Sequence, residues 1–414
     1  MAEMAIDVSG LAEVYRDLHT HPELSFAETR TASIVATRLV ALGFETIAPI
    51  GGTGVVGILR NGAGPTVMLR ADMDGLPVLE ETGLDYASRQ RGTDPDGRDV
   101  PVMHACGHDM HVTCLLGAAA VLAADTSSWK GTLQVLFQPA EELGRGARAM
   151  IADGLFDRVG VPDVVLGQHV APLPAGLLAL CAGPAFAATD VLRVTLHGQG
   201  AHGSRPETSI DPVVMAAATV MRLQTIVSRE IAGGETAVVT VGSLHAGTKA
   251  NIIPSEATLD ISIRTFDEGV RGRVRSGIER IVNAEAAASG ATVPPTIDVV
   301  DAFPAVVNDV AAAAHTWSAF AAEFGPAHVV DPGPATGSED VGILASEAGA
   351  PIVFWLLGGA DPTPFAAATG IEDIARIVRD VPSNHSPFYA PVIEPTLSVG
   401  VRALVTAARA WLPA

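Results

Sequence analysis

Cysteine is scarce in this chain: Cys106, Cys114 and Cys181 are the only three in 414 residues. So few, and odd in number, they do not read as a disulfide framework. Aromatic residues make up only 5% and charged residues 17%, against 48% hydrophobic, which argues against extended disorder. Basic residues are also short: 26 Lys and Arg face 46 Asp and Glu, for a formal net charge of −20. No Lys/Arg cluster offers the footprint that displaces counterions from a nucleic acid, so no nucleic-acid partner is expected. An acidic chain can still attract divalent cations. Charges or prolines interrupt every apolar run before it could cross a bilayer, and the opening MAEMAIDVSG has no basic stretch followed by an apolar one. The expectation is a cytoplasmic protein with no membrane partner.

What is present is a long alternation of elements. An amphipathic helix carries Leu11, Val14, Tyr15 and Leu18, and a second runs from about Glu28 to Leu42 and stops at Gly43. Strand-like runs follow at 54–59, 66–69, 132–137 and 164–168, with helices expected over 105–124 and 145–152. This order predicts an α/β domain with a largely parallel sheet. From about Thr189 the rhythm changes to β-α-β-β-α-β, the order of a ferredoxin-like unit. After Asp301 the α/β pattern returns. The fold class expected is therefore α/β, a mixed-sheet catalytic domain (residues 1–186 and 301–414) with an inserted ferredoxin-like domain (187–300).

Several short motifs carry chemistry. Gly52-Thr-Gly54-Val-Val-Gly57 matches a dinucleotide-binding glycine pattern, but a strand and a turn follow it where that fold needs a helix, so it reads as a strand entrance. Met103 to His111 packs three histidines, a thiol and a carboxylate into nine residues at the head of an apolar helix. Imidazole and thiolate both bind borderline transition metals, and a positive helix end favours the thiolate. Glu141 and Glu142 directly follow a buried strand, where one carboxylate can ligate metal while its neighbour accepts a proton. A helix-start pair stabilised by the macrodipole is the plainer alternative. His169 ends another strand, and Asn384-His385-Ser386-Pro387 offers one more donor. Ligands gather outside the carboxyl ends of strands in open α/β sheets, so convergence of these positions is the argument for a site. His202, in a glycine-flanked turn of the inserted unit, reads either as an outward-facing functional group or as a loop histidine without a task. Asn251 and Arg264 read equally as a turn cap and a solvated strand end, or as donors for a carboxylate.

Taken in order, these motifs resemble the metallopeptidase family that contains the aminoacylases and glutamate carboxypeptidases. The resemblance is nearest to the amidohydrolase branch acting on N-acyl amino acids, hippurate or auxin conjugates. It rests on Asp17-Leu-His19-Thr-His21-Pro-Glu23-Leu, Arg70-Ala-Asp72-Met-Asp74-Gly-Leu-Pro77, the Cys106 cluster, Phe137-Gln-Pro-Ala-Glu141-Glu142, Gly198 to Pro206, Asn251-Ile-Ile-Pro254, Gly337-Ser-Glu339-Asp340 and Asn384 to Pro387. The resemblance implies metal-dependent hydrolysis of the amide bond of N-acyl amino acids or related conjugates. A dipeptidase or carboxypeptidase of the same fold is the alternative. By the same likeness, Cys106 takes the metal-bridging position, and His108, Glu142, His169 and His385 are the other ligands of two divalent ions. Thiolate with imidazole suits Zn, Ni or Co, and relatives of this branch often work with Mn. Glu141 matches the general base, His202 an oxyanion donor of the smaller lid domain, and Asn251 and Arg264 the holders of the substrate carboxylate. A homodimer through the lid domain is implied as well. His19, His21, Asp72, Asp74, His104 and His111 are read as supporting rather than ligating. Arg70 replaces a histidine found in other branches, and Val341 stands where this branch usually has Phe.

Overall fold

A computed structural model describes residues 6–414. The chain folds into two compact units: one reaching Ala185 and resuming over Val307–Pro334 and Asp340–Ala414, the other Phe186–Val306 together with Ala335–Glu339.

The larger unit is built on an eight-stranded sheet. Its order is Glu45–Ile50, Gly54–Asn61, Gly131–Gln138, Thr66–Asp72, Val164–Pro174, Ile352–Ala360, Leu178–Ala179 and Val329–Val330. The four central strands read as near-continuous apolar runs because helices cover both faces, as parallel sheets require. They are mutually parallel, with Asp72 opposite Gln138, Arg70 opposite Gly167 and His169 opposite Leu356. Their carboxyl ends thus rise to one edge. The outer strand Glu45–Ile50 escapes the sequence reading. Only Ile50 of it is buried, and it contains Pro49, which a sheet tolerates at an edge.

Helix Val8–Thr20 buries Leu11, Val14, Tyr15 and Leu18 as their spacing predicts, and Asp7 caps it through the Gly10 amide. Helix His108–Ala124 is apolar on nearly every side and packs against Val8–Thr20 and Thr396–Trp411. It begins three residues later than its composition suggests. Gly107 takes φ +84°, and a Cβ there would stand 2.4 Å from Val170 Cγ1, so residues 104–107 form a turn that only glycine can close.

In the smaller unit, Ala237–Ala246, Glu256–Thr265, Ala188–His197 and Thr296–Phe303 form an antiparallel sheet in that order. This is the ferredoxin-like arrangement that the element order predicts. Glu256–Thr265 alternates strictly, placing Ala257, Leu259, Ile261 and Ile263 against helices Pro212–Thr225 and Glu268–Ala288. Asp211 and Asp267 cap those helices. Among the described residues no helix is long and apolar enough to cross a membrane.

Candidate metal centre

Four segments of the larger unit deliver donors to one place: the 104–108 turn, the Pro139–Glu142 turn after strand Gly131–Gln138, His169 in its strand, and His385. Cys106, His108 and His169 each put one ligand atom within 4.8 Å of the others, and so do Cys106, Glu142 and His385. His108, Glu141 and Glu142 form a third such group. The Cys106 thiol is common to the first two. Its Sγ lies 3.5 Å from His169 Nε2, and His385 Nε2 lies 3.4 Å from Glu142 Oε1.

The histidines are aimed by what holds their other nitrogen. His169 Nδ1 donates to the Val170 carbonyl at 2.8 Å, which leaves Nε2 as the acceptor nitrogen turned toward Cys106. His108 Nδ1 meets Asp74 Oδ1 at 3.2 Å. This is the carboxylate–histidine pairing that orients metal-ligating imidazoles. His385 sits at φ +70°, its amide bonded to the Ala105 carbonyl at 2.8 Å. Asn384 Nδ2 donates at 3.1 Å to the carbonyls of both Cys106 and Val170, tying three of the four donor segments together.

Whether these residues suit a cation can be tested on His108. Its Nε2 is buried and makes no hydrogen bond. It faces Asp72 Oδ2 at 3.6 Å, Glu141 Oε2 at 3.9 Å and Glu142 Oε1 at 3.9 Å. Those separations are too long for hydrogen bonds. They are near the roughly 3–3.5 Å that separates two ligands each about 2.1 Å from one ion. Burial disfavours the charged imidazole, yet Asp72, Asp74 and Glu142 outweigh it and lift the His108 pKa to about 10. The cluster is short of positive charge, and a divalent ion fits it.

His111 is excluded from ligation by its own bonds. The Val170 amide donates to its Nε2 at 2.7 Å, and its Nδ1 donates to Asp72, so both nitrogens are committed. Asp72 is held as well, by Arg70 Nη1 at 2.7 Å. The buried Arg70 guanidinium also reaches Gln138 and Asp340. Charge from Arg70, His108 and His111 overrides burial and keeps Asp72 well below the usual carboxylate range. His19 Nδ1 and Nε2 donate to Asp109 at 2.6 Å and Glu80 at 3.0 Å. His21 bonds its own helix at the Asp17 carbonyl, and His104 is buried without a hydrogen-bond partner.

One expectation is overturned. The sequence places Cys106 at a helix end that favours its thiolate, but the helix starts beyond it. Burial pushes the thiol well up, and the carboxylates of Glu142, Glu141 and Asp72 add to the rise. Only a cation would reverse that balance.

The remaining predicted residues lie in the smaller unit. His202 is exposed in a two-residue bridge to Ile252, and its Nδ1 accepts from Ser204 Oγ at 2.8 Å. The exposed Asn251 accepts the Gly203 amide at 2.8 Å, so it adjoins His202. Arg264 donates to the Thr336 carbonyl at 2.6 Å and to Ser338 Oγ at 3.1 Å. Asn251 precedes the first residue of strand Glu256–Thr265, whereas Arg264 is next to its last. Eight strand intervals, about 26 Å, separate those ends. The 247–255 connection that carries Asn251 joins the strand at its Glu256 end, opposite Arg264.

A thiol, imidazoles and paired carboxylates gathered at the carboxyl edge of a parallel sheet define a metal-dependent hydrolase site. The chain belongs to peptidase family M20/M25/M40, whose model matches residues 68–381. It is 36% identical over 339 residues to an N-acetyl-L-cysteine deacetylase of Bacillus subtilis (strain 168), covering 80% of this chain and 76% of that one. It is 41% identical over 287 residues to a hippurate hydrolase of Campylobacter jejuni, covering 69% and 72%. Among solved structures, the YXEP protein of Bacillus subtilis, a dinuclear metal-binding peptidase of the M20 family, superposes with a TM-score of 0.77 at 28% identity over 97% of each chain.

Proposed function

We propose that this chain is a metal-dependent amidohydrolase that cuts the amide bond of N-acyl amino acids or related amino-acid conjugates, releasing a carboxylate and a free amino acid. The observation that carries the reading is the Cys106 thiol shared by two donor groups, with Glu141 beside them. Cys106, His108 and His169 would hold one divalent ion, and Cys106, Glu142 and His385 a second. When bound, such ions supply Lewis acidity that polarises a carbonyl and acidifies water. Zn, Ni, Co and Mn all suit a donor set of this mixed character.

Glu141 is the general base. Its carboxylate takes the proton of the attacking water and returns it to the departing nitrogen. The buried Asp74 and His108 adjoin it, Asp74 through the Glu141 amide and His108 Nε2 at 3.9 Å from its carboxylate. His202 stabilises the oxyanion, and Asn251 and Arg264 hold the free carboxylate of the substrate. Asn251 sits in the connection that enters the Glu256–Thr265 strand and Arg264 near its far end, a placement that suits carboxylate holders contributed by two copies. That supports a homodimer through the ferredoxin-like unit acting as a lid.

The test is to quantify metal on the purified protein and measure amine release from N-acyl amino acids and dipeptides with Mn²⁺ or Zn²⁺ added. About two ions per chain, and N-acyl amino acid turnover that a chelator abolishes and metal restores, are the expected results. Preference for dipeptides would transfer the chain to the peptidases of its fold. Turnover indifferent to chelation would overturn the metal-dependent reading.

A further inference from the structure

The Pro139–Glu142 turn carries both the proposed base and a proposed ligand, and it is held in an unusual way. Ala140 lies at φ +47°, a region that side-chain-bearing residues seldom occupy and that surroundings must enforce. Three successive amides of the turn are each taken by a buried carboxylate. Ala140 N donates to Glu28 Oε1 at 2.8 Å, while Glu141 N and Glu142 N donate to the two oxygens of Asp74, both at 3.1 Å. Consecutive amides converging on carboxylates make charge-assisted bonds stronger than neutral ones.

The rest of the fold supplies this grip. Glu28 is fully buried at the N-cap of helix Thr29–Ala41 yet makes no capping bond there. Glu23 does the capping instead, accepting the amides of Arg30 at 2.9 Å and Thr31 at 2.8 Å, so Glu28 can turn inward. Its second oxygen accepts from Thr53 Oγ1 at 2.5 Å. Thr53 is brought there by the glycine-rich turn before strand Gly54–Asn61. Gly51 has φ +61°, and a Cβ on it would lie 2.4 Å from the Met150 amide. Thr53, within the glycine pattern that resembles a nucleotide motif, thus supplies a hydroxyl to Glu28. Asp74, for its part, also accepts from Ser25 Oγ at 2.7 Å and meets His108 Nδ1.

We propose that Glu28, steadied by Thr53 and acting with Asp74, is a positioning residue of the active site: it grips the Ala140 amide and so sets where the Glu141 and Glu142 carboxylates stand. This rests on the roles given above to those two residues. The grip is on the main chain, so neither carboxylate is needed to hold the turn. Burial and the neighbouring Asp74 raise the Glu28 pKa to about 7, in keeping with a carboxyl whose nearest partners are an amide and a hydroxyl rather than a cation.

The experiment compares full-length wild type, Glu28→Ala and Glu28→Gln. Its readouts are hydrogen exchange of the 140–142 amides, the Mn²⁺ dissociation constant by calorimetry on chelator-stripped protein, and kcat and KM at saturating Mn²⁺. Glu28→Ala is expected to lose protection at Ala140 first and to weaken Mn²⁺ binding by about 10–100-fold, as for other groups that orient ligands. It should lower kcat with little change in KM. Glu28→Gln keeps an acceptor oxygen for Ala140 and should recover most of each loss. If Glu28→Ala does not fold, Thr53→Val, which removes the hydroxyl that steadies Glu28, should move the same readouts the same way by less. A lower unfolding midpoint with unchanged Mn²⁺ affinity, exchange and kcat would overturn the proposal. Exchange and Mn²⁺ affinity need no turnover, so failure to cleave N-acyl amino acids would sink the functional reading without touching this one.

Discussion

Ionisable groups are handled in opposite ways by the two units. In the larger, Asp72, Asp74, His104, His108, Asp109 and His111 are each 1% exposed or less; Asp72 pairs with His111, Asp74 with His108, and Asp109 with the buried His19. In the smaller, His202 and Asn251 stand in solvent beside the short bridge of Ala201–His202 with Ile252–Ile253, while a deeply buried charge pair, Asp190 with Arg271, is a bidentate tie between strand and helix. A buried network is a set of mutual constraints in which moving one member costs its neighbours their partners. An exposed residue has no such neighbours, and its geometry is only as good as the short bridge beneath it. The larger unit thus fixes its polar groups in place, whereas the smaller one leaves His202 and Asn251 open to solvent.

Substitutions can break or sharpen that contrast. Glu141→Gln should have the largest effect, cutting kcat by about 10²–10⁴-fold while bound metal stays at the wild-type level. Hydrolysis near the wild-type rate would remove Glu141 from its role. His202→Ala should lower kcat by about 10²–10³-fold and leave the unfolding midpoint where it was, because an exposed side chain supports little of the fold. A change confined to KM would show that it binds substrate rather than the oxyanion. The smallest effect concerns His19. Burial lowers its pKa, but Asp109 and Glu80 outweigh this and raise it from the ordinary 6.5 to about 10. The stabilisation from this pairing is whole below the unfolded-state value and is lost as pH climbs through the folded one. Thermal melts of wild type between pH 6.5 and 10 should therefore fall more steeply than those of His19→Gln. Equal slopes would mean that His19 is not held as an imidazolium.

Much of the donor set is legible in the sequence because its chemistry is dense there: Cys106 and His108 are two residues apart, and Glu141 and Glu142 are adjacent at a strand end. Strand periodicity places that end, and His169, at the same sheet edge. Other features depend on competition between residues that no pattern displays. Glu28 reads as the start of an amphipathic helix, and only the capping bonds of Glu23 reveal why it turns inward. The Cys106 environment departs from expectation for a related reason. Composition extends the helix back to Ala105, whereas the approach of Val170 to Gly107 decides where it starts. Strand Glu45–Ile50 escapes notice because an exposed edge carries little hydrophobic signal.

The five residues Ala335–Glu339 belong to the smaller unit although a stretch of the larger one precedes them in the chain. Arg264 bonds to Thr336 and Ser338, which lie 72 and 74 positions downstream. During vectorial synthesis, then, the ferredoxin-like unit leaves the ribosome with that guanidinium lacking these acceptors, and it gains them only after the first returning helix of the larger unit, Val310–Phe324, has been made. The insert is a module in shape but not in order of assembly, and cutting the gene at residue 306 would detach a unit still owed part of itself.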